Sequence, residues 1–385
     1  MSTISNKVRY YHSGMADAPV LSGTAGALID VLDACLVNGF GVKTINNLTV
    51  TDGIAVAHIS SGHTFGEGDV LRIAGVTGAL AGLNDDWRLA SITADTVTWS
   101  VEGLNIPGGS ASGTVTCLRA PAGWEKVFAE GTTRAAYRSL THAEHNGLIL
   151  YVDDSGTTTA RARGFKSMTD IDSGTGPFPT DGQISGGMWW AKASNTTGSR
   201  KWALAADDRR LTVAPAYTTN VANGDAAPGY AFGRLMAPLS DVWATLISGT
   251  SSSSDALNTS VATTASRGLF VIGGASASLI PVYLADGVGE SSQCMAMVPS
   301  TLQTGVTTFP QRTLSDELIG SAASIKESGH VARGVMPGPT HSWQLLEDVA
   351  APGFTVSGCP GNGVAVIRTQ SFHWLLDLGT DGRWD

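Results

Sequence analysis

Apolar residues in this chain run in short alternating stretches, each cut off by Gly, Pro, Asn or Asp. Turn signals recur every ~8–12 residues, the spacing of many short strands joined by tight turns. Composition agrees. Glycine supplies 47 of 385 residues, while charged residues make up only 15%, against ~25% in ordinary soluble domains. Neither helical bundles nor βαβ repeats are built from such a chain.

One segment departs from this pattern. In residues 22–39, Leu28, Leu32, Cys35 and Leu36 stand at i, i+4, i+7 and i+8, one stripe of an amphipathic helix. Ser22 or Thr24 is placed to cap it, and Asn38-Gly39 supplies the stop. The stripe predicts an interaction face. Ahead of it, residues 1–21 read as an irregular arm whose only aromatic cluster is Arg9-Tyr10-Tyr11-His12.

The expected fold is mainly β, a multi-domain β-sandwich or β-barrel architecture with this one N-terminal amphipathic helix. Three divisions follow: an arm and helix at 1–39, a small β-module at 40–119, and a larger β-rich domain at 120–385 completed by the N-terminal segment. In the module, strands are expected at 55–58, 70–73, 84–87, 88–92, 96–101 and 113–117. Residues 75–83 read as a Gly/Ala-rich loop and 120–135 as a connector. In the larger domain, strands are expected at 148–152, 160–165, 188–192, 202–206, 210–213, 268–272, 280–284 and 363–368. Residues 248–254 read as an exposed low-complexity loop, and 315–321 as one short helical turn.

Charge excludes several function classes. The net charge is -9 with no basic stripe, so nucleic acid is not an expected partner. A polybasic membrane anchor is excluded on the same ground, and no apolar run of ~18 residues predicts insertion as a helix. Cys35, Cys117, Cys294 and Cys359 form no CxxC pair, which removes zinc ribbons and redox dithiols. The opening Met1-Ser2-Thr3-Ile4-Ser5 begins no apolar leader, so synthesis in a cytoplasm is expected.

No nucleophile elbow, zinc-protease helix, phosphate loop or dinucleotide fingerprint is present. His142 and His145 are spaced i, i+3, but Asn146-Gly147 follows and a surface turn is expected. Asp170 and Asp172 come nearest to hard-cation spacing. The later acidic ligand of a calcium loop is missing, and an Asx-type turn is the expectation. Asp153, Asp154, Asp207 and Asp208 are further carboxylates, with nothing to mark any two as facing across a cleft. Asp207-Asp208-Arg209-Arg210 reads as a hairpin tip. The ten tryptophans read as core residues, with a platform that stacks on sugars as the alternative. No enzyme, cofactor or metal is therefore expected.

Several stretches carry a resemblance. Residues 26–41, Gly-Ala-Leu-Ile-Asp-Val-Leu-Asp-Ala-Cys-Leu-Val-Asn-Gly-Phe-Gly, are similar to the start of a group of tailed-bacteriophage virion structural proteins. Residues 62–75, followed by Leu83-Asn84-Asp85-Asp86-Trp87, resemble a small β-module of phage tail and fibre proteins. Residues 120–128, 168–179 and Arg333-Gly334-Val335-Met336-Pro337-Gly338 are similar to later landmarks in the same order. The resemblance implies a virion tail or baseplate subunit, made in the host cytoplasm and lacking catalytic residues. It would self-associate as a trimer or hexamer-related ring and dock on other tail proteins. The alternatives are a receptor-binding, fibre-like protein touching host surface glycan, and a capsid decoration protein.

Overall fold

The computed structural model describes residues 8–145, 148–194, 198–216, 229–236 and 244–256. Beyond these it describes the strands Ile280–Ala285, Ser291–Met297, Ala323–Glu327, Ala332–Met336, Pro339–Gln344, Thr355–Cys359, Val364–Arg368 and Phe372–Asp377. The chain is mainly β, and the strand pairings described are antiparallel. None of the sheets among the described residues closes on itself. The strands expected at 268–272 and the turn expected at 315–321 lie outside the described residues.

A first core fills a small two-sheet module. One sheet orders Phe40–Ile45, Val115–Arg119, Val70–Ala74 and Asp86–Arg88. The other orders Ser91–Ile92, Thr96–Ser100, Ile54–His58, Asn47–Thr51 and Gly109–Ser110. The inward alternation expected of such strands puts Ile45, Leu71, Ile73, Val115 and Cys117 of one sheet against Leu48, Val50, Ala55, Val97 and Trp99 of the other. Trp87 stacks on Trp99 with centroids 6.1 Å apart. Asp52 and Gly53 both take positive φ, the two-residue turn that suits a tight hairpin. The Gly/Ala-rich stretch expected as a loop winds into a 3-10 turn over Gly78–Leu83.

A second core lies between a nine-stranded sheet and a five-stranded sheet. The large sheet runs from Arg9–His12 through Trp202–Ala206, Arg210–Pro215, Tyr230–Arg234 and Thr245–Ser248 to the strands between 280 and 336. The five-stranded sheet orders Trp124–Glu130, Arg134–Ser139, Ile149–Asp153, Thr159–Phe165 and Met188–Ala191. Trp202, Leu204, Leu211, Tyr230 and Phe232 meet Trp124, Tyr137, Leu150, Ala162 and Trp190 in this core. A separate sheet joins Pro339–Gln344, Phe372–Asp377, Val364–Arg368 and Thr355–Cys359.

The N-terminal expectations need correction. Residues 9–12 form an edge strand paired with Trp202–Ala206, and thus belong to the large sheet. Alternating Arg and Tyr hid this strand, because its inward residues are amphipathic rather than aliphatic. Residues 120–135 are not a connector either. Trp124–Glu130 pairs with Arg134–Ser139 as a hairpin. The expected helix at 22–39 begins at Ala27, with Gly26 in the left-handed region (φ 86°) and no side-chain cap. Its second half is a π-helix over Asp33–Asn38, in which Gly39 N–H donates to the Ala34 carbonyl.

Candidate functional site

Leu28, Leu32, Cys35 and Leu36 are all buried, and so are Ala27, Ile29 and Val31. Its stripe packs into the second core, while Asp30 and Asn38 on the other side stand exposed. Hydrophobic burial at this position is intramolecular because the two sheets already flank it.

The most elaborate polar cluster of the described residues joins the module to the large sheet. Arg9, from the N-terminal strand, donates through Nη2 to Oδ2 of Asp86 at 2.5 Å. Arg72, one strand over in the module, donates through Nε to Oδ1 of Asp86 at 2.8 Å. Arg9 and Asp86 are 2% and 5% exposed. Burial works against ionisation of Asp86, yet its hydrogen bonds and charges from Arg72 and Arg9 outweigh that and hold its carboxyl below the usual range. Arg88 reinforces the joint, donating to the Val8 carbonyl at 2.9 Å and the Gly68 carbonyl at 2.8 Å.

Arg119 closes the other side. Its guanidinium lies 5.6 Å from the Phe40 ring and 4.9 Å from the Phe65 ring, a cation–π arrangement on two faces. It donates to the Thr64 carbonyl at 2.8 Å and stands 3.3 Å from Asp69. Just beyond it, Tyr11 O–H donates to the Ala120 carbonyl at 2.6 Å. Tyr11 and Phe40 tie this side to the second core. The module is therefore tied to the strand Arg9–His12 by Arg9–Asp86 and Arg88–Val8 on one side and by Tyr11 against Phe40 on the other, with Arg119 holding Phe40 from inside the module. Chemically, such a cluster holds surfaces together. Its carboxylates are engaged by guanidinium groups, and its rings pack against each other.

A second polar contact sits in the second core. Lys192 Nζ lies 2.5 Å from Asp154 Oδ1, with both side chains fully buried. Asp154 Oδ2 accepts from the Leu28 N–H at 2.7 Å. Desolvation raises the Asp154 carboxyl to about 6, against the pull of Lys192. This remote carboxylate does the work expected of Ser22 or Thr24 at the helix start. A third contact forms the tip between Trp202–Ala206 and Arg210–Pro215. Asp207 Oδ1 accepts from the N–H groups of Arg209 and Arg210, each at 2.8 Å. The tip is the expected hairpin turn, but it is buried. Asp208 accepts from the Thr141 hydroxyl at 2.8 Å, and Trp124 Nε1–H donates to the Asp207 carbonyl.

Asp170 Oδ1 accepts from the Asp172 N–H at 2.8 Å, an Asx turn. Asp172 instead pairs with Arg134, so the two carboxylates are not brought together on one ion. His142 lies in a short helical turn, His142–His145, and contacts the Ser139 carbonyl through Nδ1. No group of three or more metal-ligating side chains gathers among the described residues. Trp87, Trp99, Trp124, Trp190 and Trp202 are buried. Trp189 is half-buried with the Arg161 guanidinium 3.8 Å above its ring. Ser248 and Thr250 are buried as well, so the stretch at 248–254 is exposed only from Ser251 onward in part. Sequence reasoning missed Arg9, Arg72, Arg119 and Lys192. A charged residue inside an otherwise β-patterned strand, as at Arg72 and Arg119, was the available signal.

No family model matches the chain, and no curated protein matches it. Among solved structures, it is similar to Phage phi92 endosialidase at 10% identity, with a TM-score of 0.17. The match covers 88% of this chain and 52% of that one, so the chain spans about half of its length. Likeness at this level assigns no role.

Proposed function

We propose that this protein is a structural subunit of a bacteriophage tail or baseplate, acting by self-association and by docking on other tail proteins. The observation that carries the reading is the two-point tie between the module and the strand Arg9–His12. A spacer that transmits position along a particle must not swing, and this module is tied to the strand Arg9–His12 at Arg9–Asp86 with Arg88–Val8 and again where Tyr11 meets Phe40 and the Ala120 carbonyl. The resemblance of ordered sequence stretches to virion structural proteins points the same way. The buried charges serve the same end, since each is engaged within the fold as a fastener.

A receptor-binding role on host glycan draws less support. It needs aromatic faces open to a sugar, and the tryptophans buried in the cores do not offer them. Module strand Ile54–His58 does expose Ile54 and Val56, at 40% and 36%, among Thr49, Thr51, Thr98 and Ser100 on neighbouring strands. The experiment is mass-spectrometric quantitation of this chain in gradient-purified particles, with labelled antibody locating it by electron microscopy. A fixed copy number and label on the tail are expected. Absence from intact particles would overturn the reading.

A further inference from the structure

We propose that Lys192 and Asp154 become joined by an isopeptide bond, formed without any other reactant. Three geometric observations carry this. First, Nζ of Lys192 lies 2.5 Å from Oδ1 of Asp154, with both side chains 0% exposed. Second, among the described residues no other donor reaches Oδ1, so the Lys192 amine is the group that faces it. Third, the other atoms are held in place. Oδ2 accepts from the Leu28 N–H at 2.7 Å, while Nζ donates to the Thr24 carbonyl at 2.8 Å. Val152, Leu28, Ala191 and Ala193 around the pair are buried, so water is excluded.

The step balances internally. A proton passes from the Lys192 ammonium to Oδ1 of the Asp154 carboxylate, giving an amine and a carboxylic acid. Burial favours this neutral form of the pair. The Nζ lone pair attacks Cγ and the C–N bond forms. Negative charge moves onto Oδ2, where the Leu28 N–H receives it as an oxyanion donor does. A second proton leaves Nζ for Oδ1, the Cγ–Oδ1 bond breaks, and one water departs. Nothing is oxidised or reduced. Burial also raises the Asp154 carboxyl to about 6, which populates the acid near neutrality.

The bond would join the chain just after Ile149–Asp153 to the chain just after Met188–Ala191. Those strands flank Thr159–Phe165 on either side. It would fasten both to the start of the buried helix. This inference does not depend on the proposed function.

The test is the intact mass of the purified full-length chain under denaturing conditions. The expected mass is one water below that of the sequence. A joined tryptic pair is expected too, comprising residues 139–161 and 167–200, because trypsin does not cut at an amidated Lys192. Lys192→Arg and Asp154→Ala should each restore the full mass. The wild-type mass decides alone if either variant fails to fold. A wild-type chain at full sequence mass after prolonged incubation would overturn the proposal. So would a water loss that reverts in mild base, which marks a succinimide at an Asp-Gly pair such as Asp52-Gly53.

Discussion

Replacing Asp86 by alanine is expected to destabilise the protein by about 3–5 kcal/mol, the usual penalty for removing one partner of a buried ion pair. The figure follows from where the partners sit. The Arg9 side chain is 2% exposed, so its guanidinium cannot turn outward to water when the carboxylate is gone. The Arg72 side chain is 40% exposed and can rehydrate, so its share is at most about 1 kcal/mol. Urea unfolding followed by circular dichroism and tryptophan fluorescence reads the difference. An Arg9→Met, Asp86→Ala cycle should give a combined loss smaller than the sum, with a coupling of roughly 0.5–3 kcal/mol. The pH dependence has a definite sign. Arg72 and Arg9 hold the Asp86 carboxyl below the usual range, so as pH falls the unfolded chain takes up the proton first. The advantage of wild type over Asp86→Asn should therefore be full at neutral pH and drain away below about pH 4. An Asp86→Ala penalty under about 1 kcal/mol, or strict additivity with Arg9→Met, would refute the brace.

Other consequences are checkable by routine means. Gly75 has φ 86°, and a Cβ there would lie 2.0 Å from the Thr114 carbonyl oxygen, so Gly75→Ala should cost more than about 1 kcal/mol in thermal or urea unfolding. Asp207 has its carboxyl raised by burial, against the pull of Arg210. Its native form takes the proton first, so wild type should gain stability over Asp207→Asn as pH falls from neutral toward 4. The Asp172 side chain is 66% exposed beside Arg134, and Asp172→Ala should change stability by no more than about 1 kcal/mol, equally with calcium or chelator present. Cys35 and Cys117 are buried, and burial pushes the Cys117 thiol up to about 12. In a chain carrying Cys294→Ser and Cys359→Ser, no thiol should react with a disulfide reagent until the protein unfolds.

The mainly β fold was legible because strand periodicity and turn residues are local signals. The strands expected at 55–58, 70–73, 96–101, 160–165 and 202–206 fall on the observed Ile54–His58, Val70–Ala74, Thr96–Ser100, Thr159–Phe165 and Trp202–Ala206. Helical spacing placed Leu28, Leu32, Cys35 and Leu36 on one packing face. It did not show that Ile29 and Val31 would also be covered, because a helix enclosed by two sheets buries more than one stripe. The strand Arg9–His12 was hidden since its inward Arg9 and Tyr11 look polar until Asp86 and the Ala120 carbonyl meet them. Lys192 and Asp154 are far apart in sequence, and no local pattern pairs them. They meet only because strand order puts Thr159–Phe165 between their two strands. Polar partners brought together by topology are thus the part of this molecule that sequence periodicity does not carry.

The central claim, that the chain works by associating with copies of itself, is tested most directly by light scattering of the purified full-length protein across a range of concentrations. A single closed species with the mass of a trimer or hexamer is predicted. A monomer at every concentration would contradict it.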